Sequence, residues 1–320
     1  MNLQTQIPLK KEAYNPIGYD SKILLLGSCF SENIGDKLAY YKFQTNQNPF
    51  GILFHPRAIE TLITNAINEK EYTDKDVFFL NERWHCFEAH SNLSSSNKEE
   101  LLNRLNQQIN SASKQLHHST HIIITLGTAW AYRFIESDTI VANCHKVPQK
   151  KFLKDILSVD AITESLEAII ALIKSMNAKA TVLFTVSPVR HLKDGFIQNQ
   201  QSKSHLLAAI HHVLEPRDKI HYFPSYEIVM DELRDYRFYK EDMIHPNQTA
   251  INYIWEKFSN TWISEDAIKN MNEIETIQRG INHRPFTPES EQHQQFLKGI
   301  QKRIALVKEQ YPFIKFDDFF

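Results

Sequence analysis

The chain has 320 residues, 42% of them hydrophobic, which is enough for one large domain with a substantial core. Lys and Arg (36) nearly balance Asp and Glu (38), so the net charge of -2 gives no strong attraction to nucleic acid or anionic lipid. The three cysteines are odd in number and widely spaced, and no apolar run approaches the ~18 residues of a membrane span. We therefore expect a cytoplasmic protein with no membrane span and no nucleic-acid partner.

Apolar runs and amphipathic stretches alternate along the first 264 residues. The runs, each bounded by Gly, Pro or Ser, predict buried strands at 23–26, 121–126, 181–186 and 220–223. Apolar residues at three- and four-residue spacing predict helices at 56–68, 98–116, 162–176, 202–214 and 247–262. This alternation predicts an α/β fold, a three-layer α/β/α sandwich with a mainly parallel sheet covered on both faces.

Two segments fall outside this alternation. The stretch 78–87 is consistent with a hairpin or an insertion. Beyond residue 264 the sequence is charged and mostly helical, with prolines as breaks. We therefore predict one domain over residues 1–264 and a helical extension over 265–320, which either packs on that domain or covers its cleft.

The segment Gly27-Ser28-Cys29-Phe30 joins an apolar strand to an amphipathic helix. A helix N-terminus carries unpaired N–H groups and partial positive charge, which lower the pKa of a thiol and stabilise a developing oxyanion. Cys29 or Ser28 would lie where both effects act. The alternative is that these small residues only make the turn and cap the helix, for which Ser31 is equally suited.

A second candidate group is the Asp242-Met243-Ile244-His245-Pro246 segment near the end of the predicted domain. An Asp and a His three positions apart can converge on one turn. The carboxylate then holds one ring nitrogen and leaves the other free as a general base. The order of nucleophile first and Asp/His last favours acyl chemistry over a histidine that only caps a helix.

Other polar residues support weaker hypotheses. Arg190, after Ser187-Pro188 at a predicted strand end, could bring a cation to the cleft for a substrate carboxylate or phosphate, or form a structural ion pair. His85, Cys86, Cys144 and His145 would suit a soft metal only together with each other or with Cys29, and no metal-binding spacing is present. We therefore predict neither a metal site nor a cofactor.

Gly27-Ser28-Cys29-Phe30 resembles the signature of the GSCFA family, a group assigned to the SGNH (GDSL-type) hydrolase superfamily. The resemblance extends from about Leu24 to Asn247. Further segments are similar to the family in the same order: Asn48-Pro49-Phe50-Gly51, Leu126-Gly127-Thr128-Ala129-Trp130, Asn143-Cys144-His145-Lys146, Ser187-Pro188-Val189-Arg190, Asn199 to Ser204, and Asp242 to Pro246.

The resemblance implies a flavodoxin-like sandwich whose relatives hydrolyse or transfer acyl esters. It places Cys29 at the nucleophile position, where a thiol replaces the usual serine, and Asp242 and His245 at the final dyad. Gly51 matches the glycine of the second segment, so its backbone N–H is the expected partner of the Cys29 N–H in an oxyanion hole.

The third segment departs from the superfamily pattern. Where relatives have Gly-x-Asn-Asp, this chain has Gly127-Thr128-Ala129-Trp130, so the usual oxyanion asparagine is missing. The Thr128 hydroxyl or Asn143 would have to substitute for it. Gly127, His145 and Arg190 are the remaining candidates for oxyanion or substrate contacts.

These observations favour an ester hydrolase or acyl transferase acting on a small-molecule or glycan acyl ester. Cys29, or Ser28, would attack the carbonyl, and His245 held by Asp242 would take the proton. Transfer to a sugar hydroxyl would use the same residues as hydrolysis. The alternative hypothesis, prompted by the altered third segment, is a catalytically silent acyl- or glycan-binding module on the same fold.

Overall fold

The computed structural model describes residues 5–316. In chain order the strands are β1 Lys22–Gly27, β2 Gln44–Gln47, β3 Phe78–Leu80, β4 Arg83–His85, β5 His121–Leu126, β6 Trp130–Phe134, β7 Thr139–Val141, β8 Phe152–Ile156, β9 Thr181–Val186 and β10 Ile220–Tyr222. The helices are α1 Cys29–Tyr40, α2 Pro56–Ile67, α3 Lys98–His118, α4 Val159–Met176, α5 Phe196–Val213, the short α6 Ser225–Glu227, α7 Gln248–Trp262, α8 Glu265–Ile281 and α9 Glu291–Gln310.

The central sheet has five parallel strands in the order β10-β9-β5-β1-β2. Gly27 at the end of β1 is level with Thr125 of β5. Leu126 at the end of β5 is level with Val186 at the end of β9. Because the strands run the same way, the residues that follow these three ends emerge at one edge of the sheet, where open α/β sheets bind ligands.

Strand side chains alternate between two apolar cores, one on each face of the sheet. Leu24 and Leu26 pack in the core that contains α2, α3, α4 and α5. Ile23 and Leu25 pack in the core that contains α1, α7, α8 and α9. Helices therefore cover both faces, and the predicted α/β fold with a parallel central sheet is confirmed.

The four predicted strands and five predicted helices are all present, with shifts at their ends. The largest shift is in α5, which begins at Phe196 instead of Ser202. The edge strand β2 was missed because its four residues are all polar. The stretch 78–87 contains the antiparallel hairpin β3–β4, and a second small antiparallel sheet, β7-β6-β8, was not predicted.

Helices α8 and α9 share the core of α1 and α7 through residues such as Ile274 and Ile300. The Gln278 side chain of α8 donates a hydrogen bond of 3.1 Å to the carbonyl of Tyr40, the last residue of α1. Cys29 is at the opposite end of that helix, about 17 Å from Tyr40 along its axis. The contact of α8 with α1 is therefore distant from Cys29. Across residues 5–316, no helix is both long and apolar enough to cross a membrane.

Candidate active site

The turn from β1 into α1 requires glycine at position 27. Gly27 has a φ of 130°, and a Cβ atom there would lie 2.1 Å from the carbonyl oxygen of Thr125 on β5. The Asn48 side-chain oxygen accepts a hydrogen bond of 2.9 Å from the Gly27 N–H. The close approach of β5 and the hydrogen bond to Asn48 thus fix the conformation of the turn. Helix α1 begins at Cys29.

Ser28 and Cys29 differ in what they can reach. Ser28 is buried, with 1% of its surface exposed, and its hydroxyl caps α1 by accepting a 3.4 Å hydrogen bond from the Phe30 N–H. Cys29, the first residue of the helix, is partly exposed. Of the two candidate nucleophiles, the thiol is therefore the accessible one.

The pKa of the Cys29 thiol is raised, first by burial and then by the negative charge of Glu32. The positive charge of Lys203 and the backbone N–H groups of Cys29 and Phe30 act in the opposite direction. The balance keeps the group a thiol at neutral pH, contrary to the lowered pKa that a helix N-terminus alone would give. A nucleophilic role would therefore require a nearby base.

Lys203 on α5 is buried completely, and its ammonium donates hydrogen bonds of 2.6 Å to the carbonyls of Gly127 and Ser187. It thus ties together the residues that follow β5 and β9. Burial lowers its pKa to about 7, an effect that the charge of Cys29 opposes. Sequence analysis placed Lys203 only in a segment similar to the family, without a role. Its position three residues before Leu206, on the buried face of α5, was the available signal.

Asp242 and His245 form the predicted dyad. One Asp242 carboxylate oxygen accepts hydrogen bonds of 2.9 Å from the backbone N–H groups of Ile244 and His245. The other carboxylate oxygen is 2.7 Å from His245 Nδ1. These hydrogen bonds, led by that from the His245 backbone, lower the pKa of Asp242 to about 2. An ionised carboxylate can only accept, so Nδ1 carries the proton and Nε2 presents a lone pair. Within residues 5–316 nothing forms a hydrogen bond with Nε2.

His191, which sequence analysis missed, lies between the two parts of the site. Its Nε2 is 3.5 Å from where a Cβ on Gly127 would be, and its ring meets that of Phe54 edge-on. Burial, with smaller effects from the charges of Lys203 and His245, lowers its pKa to about 4, so it is neutral at pH 7. The residue directly follows the Ser187–Arg190 segment, which was the only signal in the sequence.

Cys29, His191, Lys203, Asp242 and His245 are together called the strand-end site. Cys29 interacts electrostatically with Lys203, Lys203 with His191, and His191 with His245. Among the described residues, no hydrogen bond joins the Cys29 sulfur directly to His245. The thiol thus interacts with Lys203 and the dyad with His191, and these two intermediate residues interact with each other.

Gly51 does not offer the free N–H that was expected of it. That N–H donates a 2.7 Å hydrogen bond to the Asn48 carbonyl. The φ of 71° and the approach of His90 and Asn92, within 2.5 Å of a Cβ at this position, explain why the residue is glycine. In this structure Gly51 therefore shapes the turn after β2 and is not an available oxyanion donor.

The backbone N–H groups of the third segment, residues 127–130, are all hydrogen bonded. The Thr128 hydroxyl is 3.1 Å from that of Ser202 and accepts the Trp130 N–H at 3.0 Å. The N–H groups of Gly127 and Thr128 both donate to the carbonyl of Phe54. The Thr128 hydroxyl, the predicted substitute for the missing asparagine, is therefore buried and hydrogen bonded to its own surroundings.

Asn143 and His145 belong to a different part of the molecule. The Asn143 side chain accepts the His145 N–H at 2.9 Å, and His145 Nε2 lies 2.7 Å from the Cys86 carbonyl. The His145 ring is 4.7 Å from that of His85 in β4. Within residues 5–316 the His145 side chain thus contacts β4 and the residues that follow it rather than Cys29 or His245, which argues against the predicted oxyanion or substrate role.

His85, Cys86, Cys144 and His145 are called the hairpin cluster. Burial lowers the pKa of His145 to about 4 and raises those of Cys86 and Cys144 to about 12 and about 11. Throughout the described part of the chain, no three His, Cys, Asp or Glu side chains are arranged to hold a metal ion.

Arg190 lies at the wall of a cavity of about 1070 Å³ that Asp242 and Met243 also line. Its guanidinium is 3.4 Å from the Tyr239 hydroxyl and 3.0 Å from the Met230 sulfur. No carboxylate in residues 5–316 lies within 4 Å of it, so the predicted alternative of a structural ion pair is not found there. The cation therefore faces a cavity beside the dyad.

Comparison with curated proteins gave no match. Residues 274–318 match the GSCFA domain protein, C-terminal domain. Residues 22–258, which contain the whole strand-end site and the central sheet, match the GSCFA family. This second match covers well over half of the chain, so the protein belongs to the GSCFA family.

Proposed function

We propose that this protein hydrolyses or transfers acyl groups from ester substrates, with Cys29 as nucleophile and Asp242/His245 as the base pair. The observation that carries the proposal is the exposed His245 imidazole, whose Nδ1–H is held at 2.7 Å by an ionised Asp242 and whose Nε2 is free. The parallel sheet and the order of Cys29 and the dyad also support an SGNH-type hydrolase.

In the first step the Cys29 sulfur attacks the ester carbonyl carbon while His245 Nε2 takes the thiol proton. The raised pKa of Cys29 makes this transfer necessary, because little thiolate exists beforehand at neutral pH. The Cys29 N–H at the start of α1 stabilises the oxyanion, since the Phe30 and Ser31 N–H groups already donate to Ser28. When the carbon–oxygen bond breaks, His245 returns the proton to the departing alkoxide and a thioester remains on Cys29.

In the second step water, or the hydroxyl of an acceptor such as a sugar, attacks the thioester. His245 takes the proton of the attacking oxygen, the carbon–sulfur bond breaks, and the proton returns to the Cys29 sulfur. Asp242 remains ionised throughout and stabilises the positive imidazole. Hydrolysis and transfer differ only in the acceptor.

A catalytically silent acyl- or glycan-binding module on the same fold is the second candidate. It is favoured by the commitment of the Gly51 N–H and the Thr128 hydroxyl, which leaves the oxyanion with donors from α1 alone. This candidate predicts ligand binding without release of the acyl group.

The test is incubation with p-nitrophenyl acetate, followed by intact-mass and peptide analysis of the wild type and of Cys29→Ala, Cys29→Ser and Ser28→Ala. We expect one acetyl group on Cys29 that is absent from Cys29→Ala and retained in Ser28→Ala. Undiminished acetylation in Cys29→Ala would reject the thiol. If activity survives in Cys29→Ser but is lost in Ser28→Ala, Ser28 rather than Cys29 is the nucleophile. Acyl release that depends on His245 would exclude the silent module.

A further inference from the structure

A cavity of about 1070 Å³ adjoins the strand-end site. Its lining includes Arg190, which directly precedes His191, and Asp242, which orients His245. A substrate whose ester carbonyl lies at Cys29 and His245 would therefore have this cavity as the adjacent space for its remaining groups.

The cavity is lined mainly by apolar and aromatic side chains, and several of these are unusually exposed for their residue types. Phe196, Tyr236 and Met243 have 70%, 77% and 52% of their surface exposed. Val229 and Met230 enter the wall from a π-helical turn, Ile228–Glu232, a rare conformation that occurs frequently at functional sites. Exposed aromatic and apolar groups around a concave space are typical of ligand sites.

Arg190 is the unbalanced charge in this cavity. Its guanidinium contacts only the neutral Tyr239 hydroxyl and the Met230 sulfur, although it is partly buried and cannot lose its proton. The other charged lining groups have partners. Arg234 is 3.1 Å from Asp231, Asp235 lies near Arg237, and Asp242 holds His245. Arg190 is thus a partly buried cation beside the cavity with no carboxylate partner among residues 5–316, so its charge is available to an anionic group of a ligand.

We infer that this cavity selects acyl esters that carry an anionic group, a carboxylate or phosphate, on an apolar or aromatic body. Arg190 binds the anion, for which its planar fork of N–H donors is suited. The apolar body lies against Phe196, Tyr236 and Met243. The inference rests on the proposed function for the position of the ester, whereas recognition of the anion depends only on the cavity.

The test is equilibrium binding, by calorimetry, of three matched probes: 4-phenylbutyrate, 4-phenylbutyl phosphate and the neutral 4-phenylbutanol. We expect the wild type to bind both anions about tenfold or more tightly than the alcohol, as a charge-assisted contact would give. Arg190→Met should remove this difference, and Arg190→Lys should retain part of it as a point charge. Phe196→Ser should weaken all three probes alike.

The matched control is Arg234→Met, which removes an arginine that lines the same cavity but is paired with Asp231. This variant should keep the preference for anions. Equal binding of alcohol and anions by the wild type, or a preference that survives Arg190→Met in a folded protein, would overturn the inference. Anion selectivity without any acetylation of Cys29 would leave the cavity assignment standing and reject the proposed function. Acetylation of Cys29 without anion selectivity would support the proposed function and reject the cavity assignment.

Discussion

The strand-end site and the hairpin cluster contain the same residue types in very different surroundings. In the hairpin cluster, His145 is 5% exposed, its Nε2 faces two backbone carbonyls, and Cys86 is buried. In the strand-end site, Cys29 is partly exposed at a helix N-terminus, and His245 presents a lone pair to solvent. Residue type alone therefore does not distinguish the two regions. Hydrogen bonding and solvent access do.

Replacing one histidine in each region should separate their roles most strongly. We expect His245→Ala to lower the rate of ester hydrolysis by about 10²–10⁴-fold, because a general base is lost. His145→Gln should leave the rate essentially unchanged, since Gln keeps a donor for the Cys86 carbonyl. The measurement is the steady-state rate with p-nitrophenyl acetate. A larger loss in His145→Gln than in His245→Ala would reverse the assignment of the two regions.

The buried histidine should appear in the pH dependence of stability. The pKa of His145 falls from 6.5 to about 4 in the folded protein, chiefly through burial. Between these values the unfolded chain binds more protons. This stabilisation is therefore complete above pH 6.5 and is lost as the pH falls towards 4, by about 3 kcal/mol.

The check is urea unfolding of the wild type and His145→Gln between pH 4 and pH 7. The variant should lose less of its free energy of unfolding over this range. Parallel curves for the two proteins would show that His145 does not contribute in this way. Buried His55, whose pKa is also lowered to about 4, should contribute with the same sign in both proteins.

The three cysteines should differ in their rates of alkylation. Cys86 is buried, whereas Cys29 and Cys144 are both partly exposed. Burial raises the pKa of all three thiols, that of Cys86 to about 12 and that of Cys144 to about 11, but at Cys29 the charge of Lys203 and the N–H groups at the start of α1 oppose the rise. We expect iodoacetamide at pH 8 to label Cys29 at least about tenfold faster than either of the others. Peptide mass spectrometry over a time course measures this. Faster labelling of Cys144 would contradict the comparison.

The smallest expected effect is that of the Lys203 charge on the pKa of the Cys29 thiol. Lys203→Met removes the group whose positive charge opposes the raised pKa of Cys29. Because burial lowers the pKa of Lys203 to about 7, most of that charge is already lost where the thiol titrates, so the midpoint of the alkylation rate against pH should move upward only slightly. Leaving the Gly127 and Ser187 carbonyls without a donor should also cost about 1–3 kcal/mol of stability. Ser202→Ala, the adjacent change without loss of charge, should leave the midpoint in place. A shift in both variants would indicate a structural effect only.

Much of the fold was predictable because its strands are unbroken apolar runs. The burial of Ile122 to Leu126 on both faces of the sheet follows directly from their sequence. The polar strand β2 and the small sheet β7-β6-β8 were not predictable in the same way. Apart from the buried Ala131, Val141 and Phe152, their residues are polar or at least partly exposed, so neighbouring elements rather than their own pattern determine their structure.

The candidate site was predictable only where the chemistry is local. Asp242 and His245 are three positions apart, so their contact was visible in the sequence. Lys203 and His191 are brought to the site by tertiary packing, which spacing alone does not reveal. The expectation for Gly51 was not met for the same reason. Whether a backbone N–H is free depends on the turn around it, here on Asn48.

The most direct test asks whether Cys29 and residue 245 lie within reach of one another in solution. His245→Cys can be treated with a short bifunctional thiol reagent such as dibromobimane, and the linked peptides can then be identified by mass spectrometry. We expect a 29–245 cross-link in the folded protein that is absent from His245→Cys/Cys29→Ala and from the unfolded chain. A folded protein that labels at both positions without forming this cross-link would contradict a shared site for the thiol and the imidazole.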